Sequence, residues 1–188
     1  MKLMDEINDW IVSLSTAFII ALVINIFVFQ PTRVVGNSMQ PTLQDSNYII
    51  VSKLSHTLQH EPAYNDIVII DSRVNRDRSW RDDVSAPLVT YLSSLGLMDK
   101  PEHDVWVKRV IGKPGDVLEF KNQKVYRNGL LLNEPYIKEP MNATADMKIT
   151  IPANHVFVLG DNRNNSSDSR YIGPVKFDHI LGTMVYKL

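Results

Sequence analysis

The chain has 188 residues, enough for one ordinary domain and too few for two large catalytic ones. Hydrophobic residues make up 44% and charged residues 22%, and 20 Lys+Arg nearly balance 21 Asp+Glu, which argues against bulk disorder and against a strongly basic nucleic-acid binder. There is no cysteine, so disulfide scaffolds, thiolate zinc sites, iron–sulfur clusters and thiol proteases are excluded.

The averages hide one abnormal stretch. Residues 10–29 (WIVSLSTAFIIALVINIFVF) hold 16 apolar residues in 20, with no charge, proline or glycine. At the helical rise, that length covers roughly 30 Å, the hydrocarbon thickness of a bilayer. The uncharged run is bounded by Asp9 and Arg33, and Trp10 suits one interface. A cleaved leader would be followed by a small-x-small site. Phe29-Gln30-Pro31-Thr32-Arg33 follows instead, so the segment reads as a retained single-pass anchor. Lys2 and the α-amino group precede it, and the positive-inside rule leans toward a short cytoplasmic N-terminus over 1–9.

Beyond the span, short apolar and β-branched runs alternate with Gly, Pro, Asn and Asp, which predicts a mainly β domain over 30–188. Candidate strands are 48–53, 66–71, 105–111, 116–121, 124–127, 155–159 and 183–188, with Asn128-Gly129 as a hairpin turn. Residues 72–104 read as an inserted element. Its first part (RVNRDRSWRDD) is charged and turn-like, and Leu88, Tyr91, Leu92 and Leu95 then follow helical spacing between a Ser85 cap and a Gly96 stop. That apolar stripe fits packing on the β domain or a second contact with membrane or substrate.

Three segments could carry chemistry. The first, Gly36-Asn37-Ser38-Met39-Gln40-Pro41-Thr42, begins a few residues past the span, so a reactive group here lies close to the bilayer. Gly36 and Pro41 suit a sharp turn that exposes the Ser38 hydroxyl and nearby backbone N–H groups, although serines in such loops also serve simply as turn formers. A serine nucleophile needs a base. His56, His60, His103, His155 and His179 are scattered without metal-ligand spacing, and none has a setting that marks it as a base. A lysine serves if its amine is desolvated enough to lose its proton near neutral pH.

The second segment supplies such a lysine. In Val105-Trp106-Val107-Lys108-Arg109-Val110-Ile111, strand alternation puts Lys108 on one face with Trp106 and Val110, and Arg109 on the other. Lys108 is then either a desolvated base or an edge-strand charge that discourages aggregation. The third segment, Gly160-Asp161-Asn162-Arg163-Asn164-Asn165-Ser166-Ser167-Asp168-Ser169-Arg170-Tyr171-Ile172-Gly173, holds no long apolar residue before Tyr171 and is dense in short hydrogen-bonding side chains and charges. It reads as a solvated loop or as an ordered shell that holds a base in place.

In this order behind an N-terminal span, GNSMQPT, NDIVII, KRVIGKPGD and GDNRNNSSDSRYIGPV resemble the bacterial type I signal peptidases, membrane-bound serine proteases. The resemblance implies an anchored, mainly β fold with an antiparallel, partly closed barrel and a small inserted helical element over 72–104. It implies Ser38 as nucleophile and Lys108 as general base, with the Ser38 backbone amide in the oxyanion hole. Ser166 would help position the lysine amine, Asp161, Asp168 and Arg170 would support the site by charge pairing, and Met39 would line a pocket for small side chains. Gly36 stands where some members have a serine whose hydroxyl adds an oxyanion donor, so backbone N–H groups or another hydroxyl must serve here. Asn65 stands where the family usually has glycine.

The implied partners are exported preproteins cleaved after small residues at −3 and −1, the bilayer and the protein-secretion machinery, with no nucleic acid, metal or cofactor. The implied location is the bacterial plasma membrane, with the catalytic domain on the extracytoplasmic face. A self-cleaving SOS-type repressor shares Ser/Lys chemistry but would need a DNA-binding region where this chain has its apolar span. A membrane-tethered, non-enzymatic β module that binds a secretion partner is the alternative from another class. Enzymes of the S-x-x-K kind are excluded, because no lysine lies three residues after any serine.

Overall fold

A computed structural model describes residues 2–58, 60–79, 81, 82, 85, 89, 92, 93, 96–98, 105–142 and 146–188. Helix α1 (Lys2–Phe27) takes in the whole charged N-terminus as well as the apolar run. Within it Glu6–Asn25 is long and apolar enough to cross a bilayer, and none of that stretch is buried against the rest of the chain. The helix stops at Phe27 and the chain goes directly into β1 (Phe29–Arg33), so Phe29 begins a strand rather than ending the helix.

Ten further strands follow: β2 (Tyr48–Ser52), β3 (Ile67–Asp71), β4 (Val105–Gly112), β5 (Val117–Lys121), β6 (Lys124–Arg127), β7 (Leu130–Leu131), β8 (Met147–Thr150), β9 (His155–Leu159), β10 (Val175–Lys176) and β11 (Ile180–Lys187). Two one-turn helices, α2 (Leu54–Thr57) and α3 (Ser169–Ile172), and a 3-10 turn at Phe177–His179 complete the described elements. All seven expected strands are present. The sequence reading missed β1, β7, β8 and β10. β1 and β7 lie in segments with a proline or a turn signal, and β8 and β10 are two to four residues long.

Every strand pair is antiparallel. One sheet runs β1-β2-β11-β3-β4-β9-β10 and a second runs β7-β6-β5-β8. Bulges between Val110 and Gly112, Ile180 and Gly182, and Met184 and Tyr186 bend the larger sheet into a partly closed barrel. The Asn128-Gly129 turn forms as expected, with both residues at positive φ (54° and 80°), as a two-residue hairpin requires. Asn122-Gln123 makes a second such turn, at 52° and 63°. Asn65 has φ 70°, a left-handed position that asparagine tolerates almost as glycine does.

Among the described residues the core has three parts. Val68, Ile70, Val110, Val156, Val158, Val175 and Ile180 fill the inside of the curled sheet. Ile111, Phe157 and Leu159, on the opposite faces of β4 and β9, pack against Leu118, Phe120 and Val125 of the second sheet. Met39, Leu43 and Val34 cover Ile49, Val51, Ile67 and Ile69. β3 is therefore buried on both faces, and the loop bearing Ser38 is pinned to the sheet by its own apolar residues. Most of the helix expected over 85–96, including Leu88, Tyr91 and Leu95, lies outside the described residues, as does His103.

Candidate active site

Alternation along β4 places Lys108 on the Trp106 and Val110 face and Arg109 opposite, and the structure keeps both inside the protein. Lys108 is 3% exposed. Its Nζ lies 3.0 Å from Ser38 Oγ and donates to the Val107 carbonyl at 2.9 Å, with the Trp106 ring centroid 5.5 Å away. Burial lowers the amine pKa to about 8, against the opposing pull of the Asp168 and Asp161 carboxylates. A lysine that holds its proton so weakly can act as a base near neutral pH.

Ser38 is half-buried at the head of a turn. The Gly36 N–H donates to Asp45 Oδ1 at 2.8 Å, and the Gln40 N–H donates to the Asn37 carbonyl at 3.2 Å. Gly36 has φ +92°, and among the described residues beyond its chain neighbours nothing lies within 4 Å of the place a Cβ would take. Met39 is 1% exposed and belongs to the cluster that includes Val107 and Ile69.

The polar loop is ordered rather than solvated at its centre. Asp161 and Asp168 are both fully buried. Asp161 accepts from Arg109 at 2.8 and 2.6 Å and from the Thr42 hydroxyl at 2.5 Å, so it ties the lysine strand to the nucleophile loop. Arg109 also donates to the Asn65 carbonyl at 3.0 Å and stacks on Tyr136, 4.0 Å from its centroid. Asp168 caps α3, accepts from the Gly160 N–H at 3.1 Å, and receives Arg170 in a fork at 2.8 and 2.9 Å. Arg170 also donates to the Arg163 carbonyl at 2.7 Å, and Arg163 in turn forks onto Glu134 and donates to the Gly160 carbonyl at 3.0 Å.

The structure brings Ser38 and Lys108 together and sets Asp161, Asp168 and Arg170 in one buried shell behind them. Ser166 stands beside Gly160, where a Cβ would collide with the Ser166 side chain and come within 2.6 Å of the Ser38 carbonyl. Its hydroxyl makes one long hydrogen bond among the described residues, to the Ser167 carbonyl at 3.5 Å, and none to Lys108. Asp161 pairs with Arg109, not with its loop neighbours, and sequence reasoning missed Arg109, Thr42, Asn162, Arg163 and Glu134. Asn162 and Arg163 were visible as members of the polar loop, but their partners lie on other segments and left no local signal.

Among the described residues no group of His, Asp or Glu is arranged to hold a metal. A groove of about 1020 Å³ runs past Phe27, Val51, Val105 and Lys176 and is lined by neither Ser38 nor Lys108. Geometry and burial, not cavity size, single out Ser38 and Lys108 as a candidate pair.

A family model described as signal peptidase, peptidase S26, matches residues 7–188. The chain is similar to a probable signal peptidase I-2 of Synechocystis, 34% identical over 178 residues that cover 93% of this chain and 71% of that protein. It is 34% identical over 175 residues to signal peptidase I P of Bacillus subtilis subsp. natto, covering 88% and 79%. Against signal peptidase IB of Staphylococcus aureus the identity is 30% over 200 aligned positions, covering 97% and 89%. A crystal structure of a signal peptidase I from Enterococcus faecalis superposes with TM-score 0.45 at 27% identity, over 66% of this chain and 97% of that one.

Proposed function

The chain belongs to the signal peptidase family, peptidase S26, whose members remove signal peptides as serine endopeptidases, and on that premise we propose that Ser38 and Lys108 perform the cleavage here. The observation that carries this reading is the 3.0 Å contact between Ser38 Oγ and a buried Lys108 amine whose pKa is brought down to about 8.

In the proposed reaction, neutral Lys108 takes the Ser38 proton as Oγ attacks the carbonyl carbon of the signal peptide's last residue. The Ser38 backbone amide receives the developing oxyanion. The lysine passes its proton to the leaving amine of the mature chain, and an acyl-enzyme remains. Water attacks that ester with the same lysine as base and frees the signal peptide. Asp161, Asp168 and Arg170 hold the elements that carry the dyad, and Ser166 packs beside Gly160 to keep the loop closed over it. Met39, buried against Val107, would back rather than line the pocket that takes the small side chains of an Ala-x-Ala site.

The apolar helix supports a single-pass anchor in a bacterial plasma membrane. Of the expected span 10–29, the part up to Phe27, where α1 ends, would cross it; 1–9 would lie in the cytoplasm, and 30–188 would work on the extracytoplasmic face. Since β1 follows α1 within two residues, the catalytic domain would sit against the bilayer, where membrane-held preproteins present their scissile bonds. The test is cleavage of a preprotein with an Ala-x-Ala site in detergent or liposomes. Ser38→Ala and Lys108→Met abolish it; if both cleave at the parent rate, the dyad is wrong.

A further inference from the structure

We propose that Asn162 is a positioning residue that sets the oxyanion-hole amide, a role that rests on the Ser38 reading above and extends it to a side chain outside the dyad. Asn162 is 3% exposed and makes two bonds to the nucleophile loop. Its backbone N–H donates to the Ser38 carbonyl at 2.9 Å, and its side-chain Nδ2 donates to the Asn37 carbonyl at 3.1 Å. It therefore grips the peptide groups on both sides of the Ser38 Cα.

The side-chain bond is the informative one. The Asn37 carbonyl and the Ser38 N–H belong to a single peptide group, which is planar and trans, so the two point in opposite directions. Holding the carbonyl toward the polar loop turns the N–H away from it. The Ser38 N–H finds no acceptor among the described residues. A held carbonyl and an unspent N–H in the same plane are what a preorganised oxyanion donor requires, because the donor need not reorient as charge develops. The Gln40 N–H also reaches the Asn37 carbonyl, but from within the same turn, so it cannot anchor that turn to the rest of the protein. Asn162 can, since the loop beyond β9 is itself locked through Asp161 and Arg163.

This anchoring matters more here than it would with a serine at position 36. Gly36 contributes no hydroxyl, so the Ser38 amide carries a larger share of the oxyanion.

The test uses the full chain in detergent with Asn162→Ala and Asn162→Leu, the second keeping the γ-branched outline of asparagine, at a larger volume, without its donor. Three quantities are read: kcat/KM on an Ala-x-Ala peptide, the inhibition constant of that peptide as its C-terminal aldehyde, and that of the matching alcohol. The aldehyde binds by forming a bond from its carbonyl carbon to Ser38 Oγ, which places its oxygen in the hole, whereas the alcohol cannot form this adduct. Expected are a loss of about 10²-fold in kcat/KM, the scale of one oxyanion donor, and a matching loss for the aldehyde. Affinity for the alcohol and the pH midpoint of kcat/KM near 8 stay in place. Parent-like turnover in both variants overturns the proposal. So does an equal loss of aldehyde and alcohol affinity, which would make Asn162 a general structural support, or a moved midpoint, which would place its action on Lys108. A parent chain that neither cleaves the peptide nor binds the aldehyde overturns the dyad reading itself.

Discussion

The Arg109 guanidinium forks onto both carboxylate oxygens of Asp161, at 2.8 and 2.6 Å, with Asp161 fully buried and the Arg109 side chain 9% exposed. Arg109 is the residue after the candidate base and points to the other side of β4. Through Asp161 and the Thr42 hydroxyl it joins the strand of Lys108, the loop of Asn162 and the turn of Ser38. Removing one member of a buried pair strands the other charge without its partner. Asp161→Leu or Arg109→Leu alone should cost about 3–5 kcal/mol. The double variant should cost clearly less than the sum of the two. Denaturant unfolding of the parent and the three variants measures the coupling, and additive losses would show that the pair does not act as a unit.

Lys108 predicts two pH dependences of different origin. Only the neutral amine accepts a proton, so kcat/KM should rise with pH through about 8. A profile that is flat from pH 6 to 10 would remove Lys108 as the base.

The stability effect follows from the same shift. Below about 8 both folded and unfolded chains carry the Lys108 proton, and the fold bears the whole cost of burying the charge. Between about 8 and the ordinary value of 10.5 the unfolded chain binds more protons, so stability from this group climbs with pH; above 10.5 the cost is gone. Lys108→Met should therefore be inactive yet more stable than the parent at pH 7, with the gap closing by pH 11. Paired thermal melts across that range check it, and a variant that is less stable at pH 7 would contradict the assigned cost.

Asp71, at the end of β3, accepts from Arg73, Arg76 and Arg78. Burial alone would raise its pKa, but hydrogen bonds from the Arg73 side chain and backbone and from Arg78 hold the carboxyl well below the usual range. Its contribution is complete above roughly pH 4, the ordinary carboxylate value, and disappears as pH falls through the lowered folded value. Asp71→Ala removes the carboxylate to which Arg78, itself 5% exposed, donates, and should cost about 3 kcal/mol. It should also flatten the acid side of the stability curve, which denaturant titrations from pH 2 to 6 would reveal.

The hairpin between β6 and β7 offers a backbone test. Gly129 has φ +80° and nothing within 4 Å of the place a Cβ would take, so Gly129→Ala adds no clash and only a left-handed alanine. A loss of about 1 kcal/mol is expected. Thermal unfolding with activity unchanged would separate this from any effect on the dyad.

Much of this architecture was legible along the chain. The apolar span shows itself by uninterrupted composition, the seven strands by alternation, and the Asn128-Gly129 turn by its need for two left-handed residues, all of which are local properties. The strands that escaped notice are short or carry a proline. β1 is held by pairing with β2, which the sequence of β1 alone does not announce.

Residue order was enough to mark an apolar helix long enough to cross a bilayer, a mainly β fold, and a serine and a lysine of the right kinds in segments that resemble one peptidase family. That the two meet is a matter of folding. A strand's alternation says which way Lys108 faces but not that Ser38, 70 positions earlier, stops 3.0 Å from its amine. The pairing of charges was settled in the same way. Asp161 chooses Arg109 over Arg170, because Coulomb attraction and hydrogen bonding depend on distance through space and on exclusion of water, neither of which is a function of position along the chain. The Ser38 amide, without an acceptor among the described residues, is of the same class, since the orientation of one peptide plane depends on what a distant asparagine holds.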